Sequence, residues 1–297
     1  MREKICLCWQ GVSGRYGFWK DGLYRAMKRI EEKHDVRYIE PWGEVKPDEI
    51  VLYWEAPCTY SGKDAENYKR IQRLPNRKAL LFAGGPIQEE WLFNFDHVFV
   101  EGEFNKNEMD ALGIPCSIAF GVNEDIFKPE KQQKTIDGFM QATFAGWKRQ
   151  GLFADALGKN GVLCGRYQEE DQSPWIDSER SIRLPELPAE AVAKLINASH
   201  AIVNTSSYWG GGQRCTLEAM ACGIPAIVMS DSPKNMEFVA ESGAGIICDP
   251  NADSIRNAVE AVKGWSAEER SKGIEYIQSK WTSKHYADNL MKFIDNA

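Results

Sequence analysis

The chain has 297 residues, 43% of them hydrophobic, which suits two domains of ordinary size and excludes a disordered polypeptide. Lysines and arginines number 36 against 43 aspartates and glutamates, so the net charge is −7 and no global field draws the chain to nucleic acid or an anionic membrane. Eight cysteines, Cys6, Cys8, Cys58, Cys116, Cys164, Cys215, Cys222 and Cys248, form no CxxC pair and lie mostly in apolar runs. They read as small buried hydrophobes of a reducing compartment, not as a disulfide frame or a zinc site.

The start, Met1-Arg-Glu-Lys-Ile-Cys-Leu-Cys-Trp9, is too short and too polar for a signal peptide. Nowhere does an apolar stretch reach the length of a membrane span, and the expectation is a soluble cytoplasmic protein. Short apolar runs follow at Ile5 to Trp9, Val36 to Ile39, Ile50 to Trp54, Ala79 to Ala83, His97 to Val100 and Cys116 to Phe120. Between them, helices are expected near Phe18 to Glu32, Ala65 to Arg73, Gln88 to Phe93 and Asn105 to Leu112. That alternation marks stacked βα units on a mostly parallel sheet, one doubly wound domain over residues 1–123.

Two features of this half carry candidate chemistry. The loop Gln10-Gly-Val-Ser-Gly-Arg-Tyr-Gly17 follows the first strand, so Gly11, Ser13 and Gly14 can offer backbone N–H groups to a ligand, although an ordinary βα turn explains the same residues. Glu55, in Tyr53-Trp-Glu-Ala-Pro57 at a strand end, is either an acid/base group or a rim carboxylate. The aromatic residues Trp9, Tyr16, Phe18, Trp19, Tyr53, Trp54, Tyr60 and Trp91 are core or, in part, a stacking platform.

Gly121-Val-Asn-Glu-Asp-Ile-Phe-Lys-Pro129 and the polar Glu130 to Asp137 read as a linker. A second βα series begins after it, with runs at Gln141 to Ala145, Gly161 to Cys164, Ile182 to Leu184, Ala201 to Asn204, Ala226 to Met229 and Gly245 to Cys248. This second domain spans 124–280, and two such domains leave a cleft at their strand C-termini, where ligands of open α/β sheets bind. In Ala145-Gly-Trp-Lys-Arg-Gln-Gly151, beside Gly146, Lys148 offers a point charge and Arg149 a fork to a diphosphate; the alternative is a solvated basic loop. The histidines His34, His97, His200 and His285 fall in no cleft loop.

The stretch Trp209 to Met229 places Gly210, Gly211 and Gly212 before a helix from Arg214 to Cys222, with Gly223 set to end it. Three glycines in a row cost conformational entropy, so either the turn is tight or a ligand presses on the backbone. The helix N-terminus and Arg214 suit a phosphate or diphosphate. Glu218, one turn on, can accept the hydroxyls of a ribose or pair with Arg214. A ligand cradle predicts that Gly212→Ala costs affinity more than stability; a turn glycine predicts the reverse.

These residues resemble a known family. Leu217-Glu-Ala-Met-Ala-Cys-Gly-Ile-Pro225, Ser230-Asp-Ser-Pro-Lys-Asn-Met-Glu237, Phe144-Ala-Gly-Trp-Lys148, Leu187 to Leu195 leading to Ala201-Ile-Val-Asn-Thr-Ser-Ser207, and Phe120-Gly-Val-Asn-Glu-Asp-Ile-Phe127 resemble the C-terminal half of the retaining GT-B glycosyltransferases of family 4. The resemblance implies an α/β chain of two Rossmann-like doubly wound domains facing across a cleft, with the last helix, residues 281–297, packing back on the first. It implies that Lys148 and Arg149 bind the donor diphosphate, that Glu218 holds the ribose, and that the N–H groups of Gly211, Gly212 and Gln213 meet the distal phosphate and the sugar. The donor is then a UDP- or GDP-linked sugar, used as a substrate with no cofactor and no metal. The acceptor is a hydroxyl of a small molecule, a glycan or a modified nucleic-acid base, with no stable membrane insertion. Lys148, Arg149 and the helix N-terminus would stabilise the departing diphosphate, with Glu55 on the acceptor side.

Three departures stand out. Gly210 occupies the place of a glutamate that touches the sugar, Ala83-Gly-Gly-Pro86 replaces a histidine, and Lys148 and Arg149 are adjacent while Phe153 stands where a lysine is expected. An epimerase on the same scaffold and a noncatalytic nucleotide-sugar-binding subunit are the competing readings.

Overall fold

The structure is a computed structural model and describes residues 2–55, 63–83, 94–166, 180–208 and 211–296. The first sheet contains β1 (Lys4–Cys8), β2 (Asp35–Ile39), β3 (Ile50–Glu55), β4 (Lys78–Phe82), β5 (His97–Val100) and β6 (Cys116–Ile118), in the order β2-β1-β3-β4-β5-β6. Its helices are α1 (Gly22–Ile30), α2 (Lys63–Arg73) and α3 (Glu103–Ala111). The second sheet contains β7 (Ile136–Gln141), β8 (Gly161–Cys164), β9 (Ile182–Leu184), β10 (Ser199–Asn204), β11 (Ala226–Met229) and β12 (Gly245–Cys248), in the order β12-β11-β10-β7-β8-β9. With it run α4 (Gln150–Leu157), α5 (Ala189–Asn197), α6 (Gln213–Ala221), α7 (Pro233–Ser242), α8 (Ala252–Lys263) and α9 (Ala267–Lys280). Every strand pair in both sheets is parallel. Parallel sheets are covered on both faces, which is why Ile5, Cys6, Leu7 and Cys8 are consecutive, apolar and all 0% exposed.

Contacts divide the chain into two compact units, Met1–Phe120 with Ser283–Ala297, and Gly121–Thr282. The last helix, α10 (Ser283–Ile294), belongs to the first unit, where it packs on α1 and Ser283 Oγ accepts from Arg29 Nε at 3.0 Å. Tyr286 of α10 meets Phe120, and Phe293 stacks on His97 with ring centroids 5.9 Å apart. Seven of the eight cysteines are described, all as free thiols; Cys58 lies outside the described residues. Among the described residues no helix is long and apolar enough to cross a membrane.

Two elements depart most from the sequence expectation, and the helix expected near Gln88 to Phe93 lies outside the described residues. Helix α1 begins at Gly22, not Phe18, because Asp21 caps it by accepting from the Tyr24 N–H at 3.1 Å, while the Trp19 N–H is tied back to the Gly11 carbonyl. Strand β7 begins at Ile136 and ends at Gln141, so Ile136 and Asp137 are strand and not linker. Asp137 and Gly138 disguise it. The Asp137 carboxylate is satisfied by Lys263 at 3.0 Å, and Gly138 lies beside Gly161 of β8, where a Cβ on either would collide with Leu157 or Phe153. Phe153, 0% exposed, fills the space these two glycines leave, which accounts for an aromatic where the family resemblance predicted a lysine.

Candidate active site

The parallel strands β7, β10 and β11 deliver their C-terminal loops to one edge of the second sheet, and the carrying residues of the second unit meet there. The 145–149 loop is stitched to 205–207: Thr205 Oγ1 donates to the Lys148 carbonyl at 2.7 Å, and the Ser207 N–H donates to the Trp147 carbonyl at 3.0 Å. Lys148 Nζ reaches across and donates to the Gly211 carbonyl at 2.6 Å. The ammonium thus sits on the glycine loop itself, at the amino end of α6, where a polyanion gains from both the charge and the helix dipole. Gly146 lies open, with no atom within 4 Å of the place a Cβ would take, and Trp147 beside it is 44% exposed.

Arg149 is engaged differently from the expected diphosphate fork. Its backbone is left-handed, φ 51 and ψ 42, the one positive-φ non-glycine among the described residues. Its Nε donates to the Thr205 carbonyl at 2.6 Å and its Nη2 to the Ser206 carbonyl at 3.1 Å, while Nη1 and Nη2 grip the Asp231 carboxylate at 2.7 and 2.8 Å. Nearly all of the guanidinium's donors are therefore occupied by the protein. Arg149 in turn holds the Asp231 carboxyl below its ordinary value. The strained backbone persists because these bonds over-determine it, and Arg149 serves to brace the loop that presents Lys148.

The glycine run resolves into distinct roles. Gly212 caps α6 with φ +139, and a Cβ there would lie 2.3 Å from Asn204 Nδ2. Its N–H is taken by Gln213 Oε1 at 2.9 Å, so it is not free to meet a phosphate as the resemblance implied. Gly211 is the permissive one: the nearest atom to its Cβ position is Gln213 Oε1 at 3.3 Å. Gly210, and with it the missing glutamate, lies outside the described residues, as do the Gly84 region with its missing histidine, Tyr60 and Trp91. At the far end α6 stops as the sequence indicated: Gly223 has φ +69, and the Gly223 and Ile224 N–H groups donate to the Met220 and Ala219 carbonyls at 3.0 and 2.9 Å.

Sequence reasoning missed the polar network that fixes this loop. Asn204, the last residue of β10, donates through Nδ2 to the Gly212 carbonyl at 3.1 Å and to Asn235 Oδ1 at 2.9 Å. Thr216 Oγ1 lies 3.2 Å from the same Asn235 oxygen, and Asn235 Nδ2 donates to Ser232 Oγ at 2.9 Å. All four residues are at least nine-tenths buried. They join the amino ends of α6 and α7 to β10, and the only trace in the sequence is an asparagine ending an apolar run. Lys234, also missed, is 1% exposed on the first turn of α7, with its ammonium 5.5 Å from the Tyr208 ring.

Arg214 is half-buried on the first turn of α6, and Glu218, one turn further, is 2% exposed. Cys215 between them donates its thiol to the Gln141 carbonyl at 2.9 Å, and burial, with the Glu218 charge behind it, pushes that thiol up to about 11. The remaining candidates belong to the first unit. Gly11 is buried and Gly14 half-buried after β1, where a Cβ would strike the Trp9 and Trp19 rings respectively, so packing against two indoles accounts for both glycines. Ser13 is exposed in that turn, and Glu55 is half-buried at the end of β3.

The different surroundings of Gly211 and Gly212 set a direct test. Gly211→Ala is expected to leave the melting temperature within about 2 °C, since the Gln213 amide oxygen, 3.3 Å away, has to give only slightly, while nucleoside-diphosphate affinity falls several-fold. Normal affinity in a normally folded Gly211→Ala protein would remove the ligand from this backbone.

Residues 178–280 match the family model described as "Glycosyl transferases group 1", a stretch that contains the glycine loop and α6 but not Lys148. No curated protein matches the chain by sequence. Among solved structures, Anabaena HepE in complex with UDP and glucose superposes with a TM-score of 0.75 at 11% identity, covering 100% of both chains. A glycosyltransferase from Rickettsia africae gives 0.70 at 13% identity over 99% of this chain and 98% of its own. Sucrose-phosphate synthase from Thermosynechococcus elongatus gives 0.64 at 14% identity over 83% and 73%. With two six-stranded parallel sheets that superpose on these proteins and a C-terminal stretch that matches the group 1 model, the chain has the GT-B fold and resembles the group 1 glycosyl transferases.

Proposed function

We propose that the chain is a glycosyltransferase that moves a sugar from a nucleotide-sugar donor to an acceptor hydroxyl, with retention of anomeric configuration and without a metal ion. The observation that carries this reading is the Lys148 ammonium seated 2.6 Å from the Gly211 carbonyl at the amino end of α6, which lies within residues 178–280 that match the glycosyl transferase model. In this reading the bond from the sugar's anomeric carbon to the diphosphate oxygen breaks, and the charge that grows on the diphosphate is met by Lys148, the α6 dipole and Arg214. The acceptor hydroxyl attacks the same face and passes its proton to the departing oxygen. Glu218 accepts the ribose hydroxyls, the Gly211 backbone lies against the distal phosphate and the sugar, and Glu55 serves the acceptor side.

The complexes of HepE with UDP, glucose and UDP-glucose support a UDP-linked sugar as the first donor to try. The purified chain is incubated with isotopically labelled UDP- and GDP-sugars, alone and with glycan and small-molecule hydroxyl acceptors, and the products are followed by NMR. Released nucleoside diphosphate together with a product of unchanged anomeric configuration is expected. An inverted product would remove retention, a changed sugar still bound to its nucleotide would make the chain an epimerase, and binding without turnover would leave a noncatalytic subunit.

A further inference from the structure

The opposite, amino-terminal edge of the second sheet gathers cations that the reaction above does not use. Lys134, just before β7, donates from Nζ to the Asn197 carbonyl at the carboxyl end of α5, at 2.8 Å. His200 is the second residue of β10 and stands level with Asp137 of β7, between the register pairs Ser199 with Ile136 and Ala201 with Gly138. The Asp137 carboxylate is held by Lys263 of α8 at 3.0 Å. Next to Lys263, the Val262 carbonyl accepts from Nη2 of Arg270 at 2.8 Å, and Arg270 comes from α9. Contacts and strand register thus join the segment before β7, α5, β10, β7, α8 and α9 in turn, and bring three lysine or arginine side chains and a histidine to one rim.

The one carboxylate within that sequence, Asp137, is already paired. Lys134, His200 and Arg270 meet no carboxylate at salt-bridge distance among the described residues. His200 Nδ1 and Arg270 Nη1 are both shut off from solvent with no hydrogen-bond partner. Buried polar nitrogens are rarely left so, and two on one cationic rim point to a ligand that accepts hydrogen bonds and carries negative charge. We propose that Lys134, His200 and Arg270 form an anion site for a small oxyanion of the phosphate class, separate from the diphosphate site at the other edge.

The electrostatics agree with the geometry. Burial and then the Arg270 charge bring Lys134 down to about 8, and burial followed by Lys263, with Lys134 and Arg270 adding, lowers His200 against the pull of Asp137. The other groups facing the rim are accounted for. Glu260 is held by Lys263, Glu269 accepts from the Ser266 N–H and hydroxyl, the Cys222 thiol is pushed up to about 12 by burial, and the Glu130 side chain is exposed. An anion would favour protonated Lys134 and raise its pKa. Affinity is therefore full below the free-state value, declines as the pH climbs past it and is lost through the higher bound-state value, with protons taken up on binding.

The test is calorimetric titration of millimolar inorganic phosphate into the full chain at constant ionic strength, in buffers of different ionisation enthalpy. It is run on wild type, Lys134→Gln, Arg270→Gln and Lys148→Ala. Saturable binding is expected in wild type and Lys148→Ala, about tenfold weaker near pH 9 than near pH 7, with proton uptake. Lys134→Gln, whose amide can still donate to the Asn197 carbonyl, is expected to keep the fold and lose phosphate binding; Arg270→Gln repeats the loss if it folds. Phosphate that binds Lys134→Gln as well as wild type, binding that disappears only in Lys148→Ala, or no saturable binding would each overturn the proposal. Because the readout is phosphate and not turnover, its outcome stands apart from that of the glycosyltransferase assay.

Discussion

Gly212→Ala is expected to destabilise the protein by about 3 kcal/mol, a fall of roughly 6–12 °C in melting temperature. Two effects add. A φ of +139 is a conformation that side-chain-bearing residues rarely adopt, and strain of that kind costs on the order of 1–3 kcal/mol. The new methyl would also lie 2.3 Å from Asn204 Nδ2, which cannot swing aside because the Gly212 carbonyl and Asn235 Oδ1 hold it. Displacing it strands buried polar groups of Asn235 and Thr216, at about 1–3 kcal/mol for each group left unsatisfied. Differential scanning calorimetry decides: a Gly212→Ala protein that melts with wild type would mean that the Asn204 network does not hold this turn. The question of why the glycines run together is thereby divided, with Gly212 serving the turn and Gly211 the proposed ligand.

Lys148→Ala is expected to weaken nucleoside-diphosphate binding by about 1.5–3 kcal/mol, or roughly 10- to 150-fold, the range for a charge-assisted hydrogen bond. Stability should change little, because Lys148 is half-buried and its bond to the Gly211 carbonyl is made at a partly exposed site. If Lys148 only latched the glycine loop, Lys148→Met would lose affinity without altering its dependence on salt. A charge that meets phosphate instead flattens that dependence when it is removed. Titration calorimetry with UDP at two ionic strengths reads both quantities, and unchanged affinity would remove Lys148 from the site.

Strand positions were plain in the sequence wherever both faces of a parallel sheet are buried, because such strands read as unbroken apolar runs. His97 to Val100, Gly161 to Cys164 and Ala226 to Met229 match the structure to the residue, and so do the partly exposed edge strands Ile182 to Leu184 and Gly245 to Cys248. Strand β7 was misplaced because its signal depends on partners far along the chain: Gly138 is needed by Leu157 and Val203, and Asp137 is answered by Lys263. The candidate site divides in the same way. Lys148, Gly211, Arg214 and Glu218 were visible because a basic loop, a glycine run and a helix N-terminus are local patterns. That Arg149 turns to Asp231, and that Asn204 and Asn235 anchor the turn, was not visible.

By itself, then, the sequence determined the α/β class, the doubly wound order of elements and the residues with the chemistry to meet a diphosphate, because hydrophobic period, glycine and charge act within a few residues of the chain. Only the tertiary structure decided which of those residues are available. Arg149 and Asp231 are separated by 82 positions, and Lys148 and Gly211 by 63. Whether a charged or polar group is engaged by the protein or left for a ligand is set by such distant partners, since a buried hydrogen-bonding group takes whatever complement the fold brings to it.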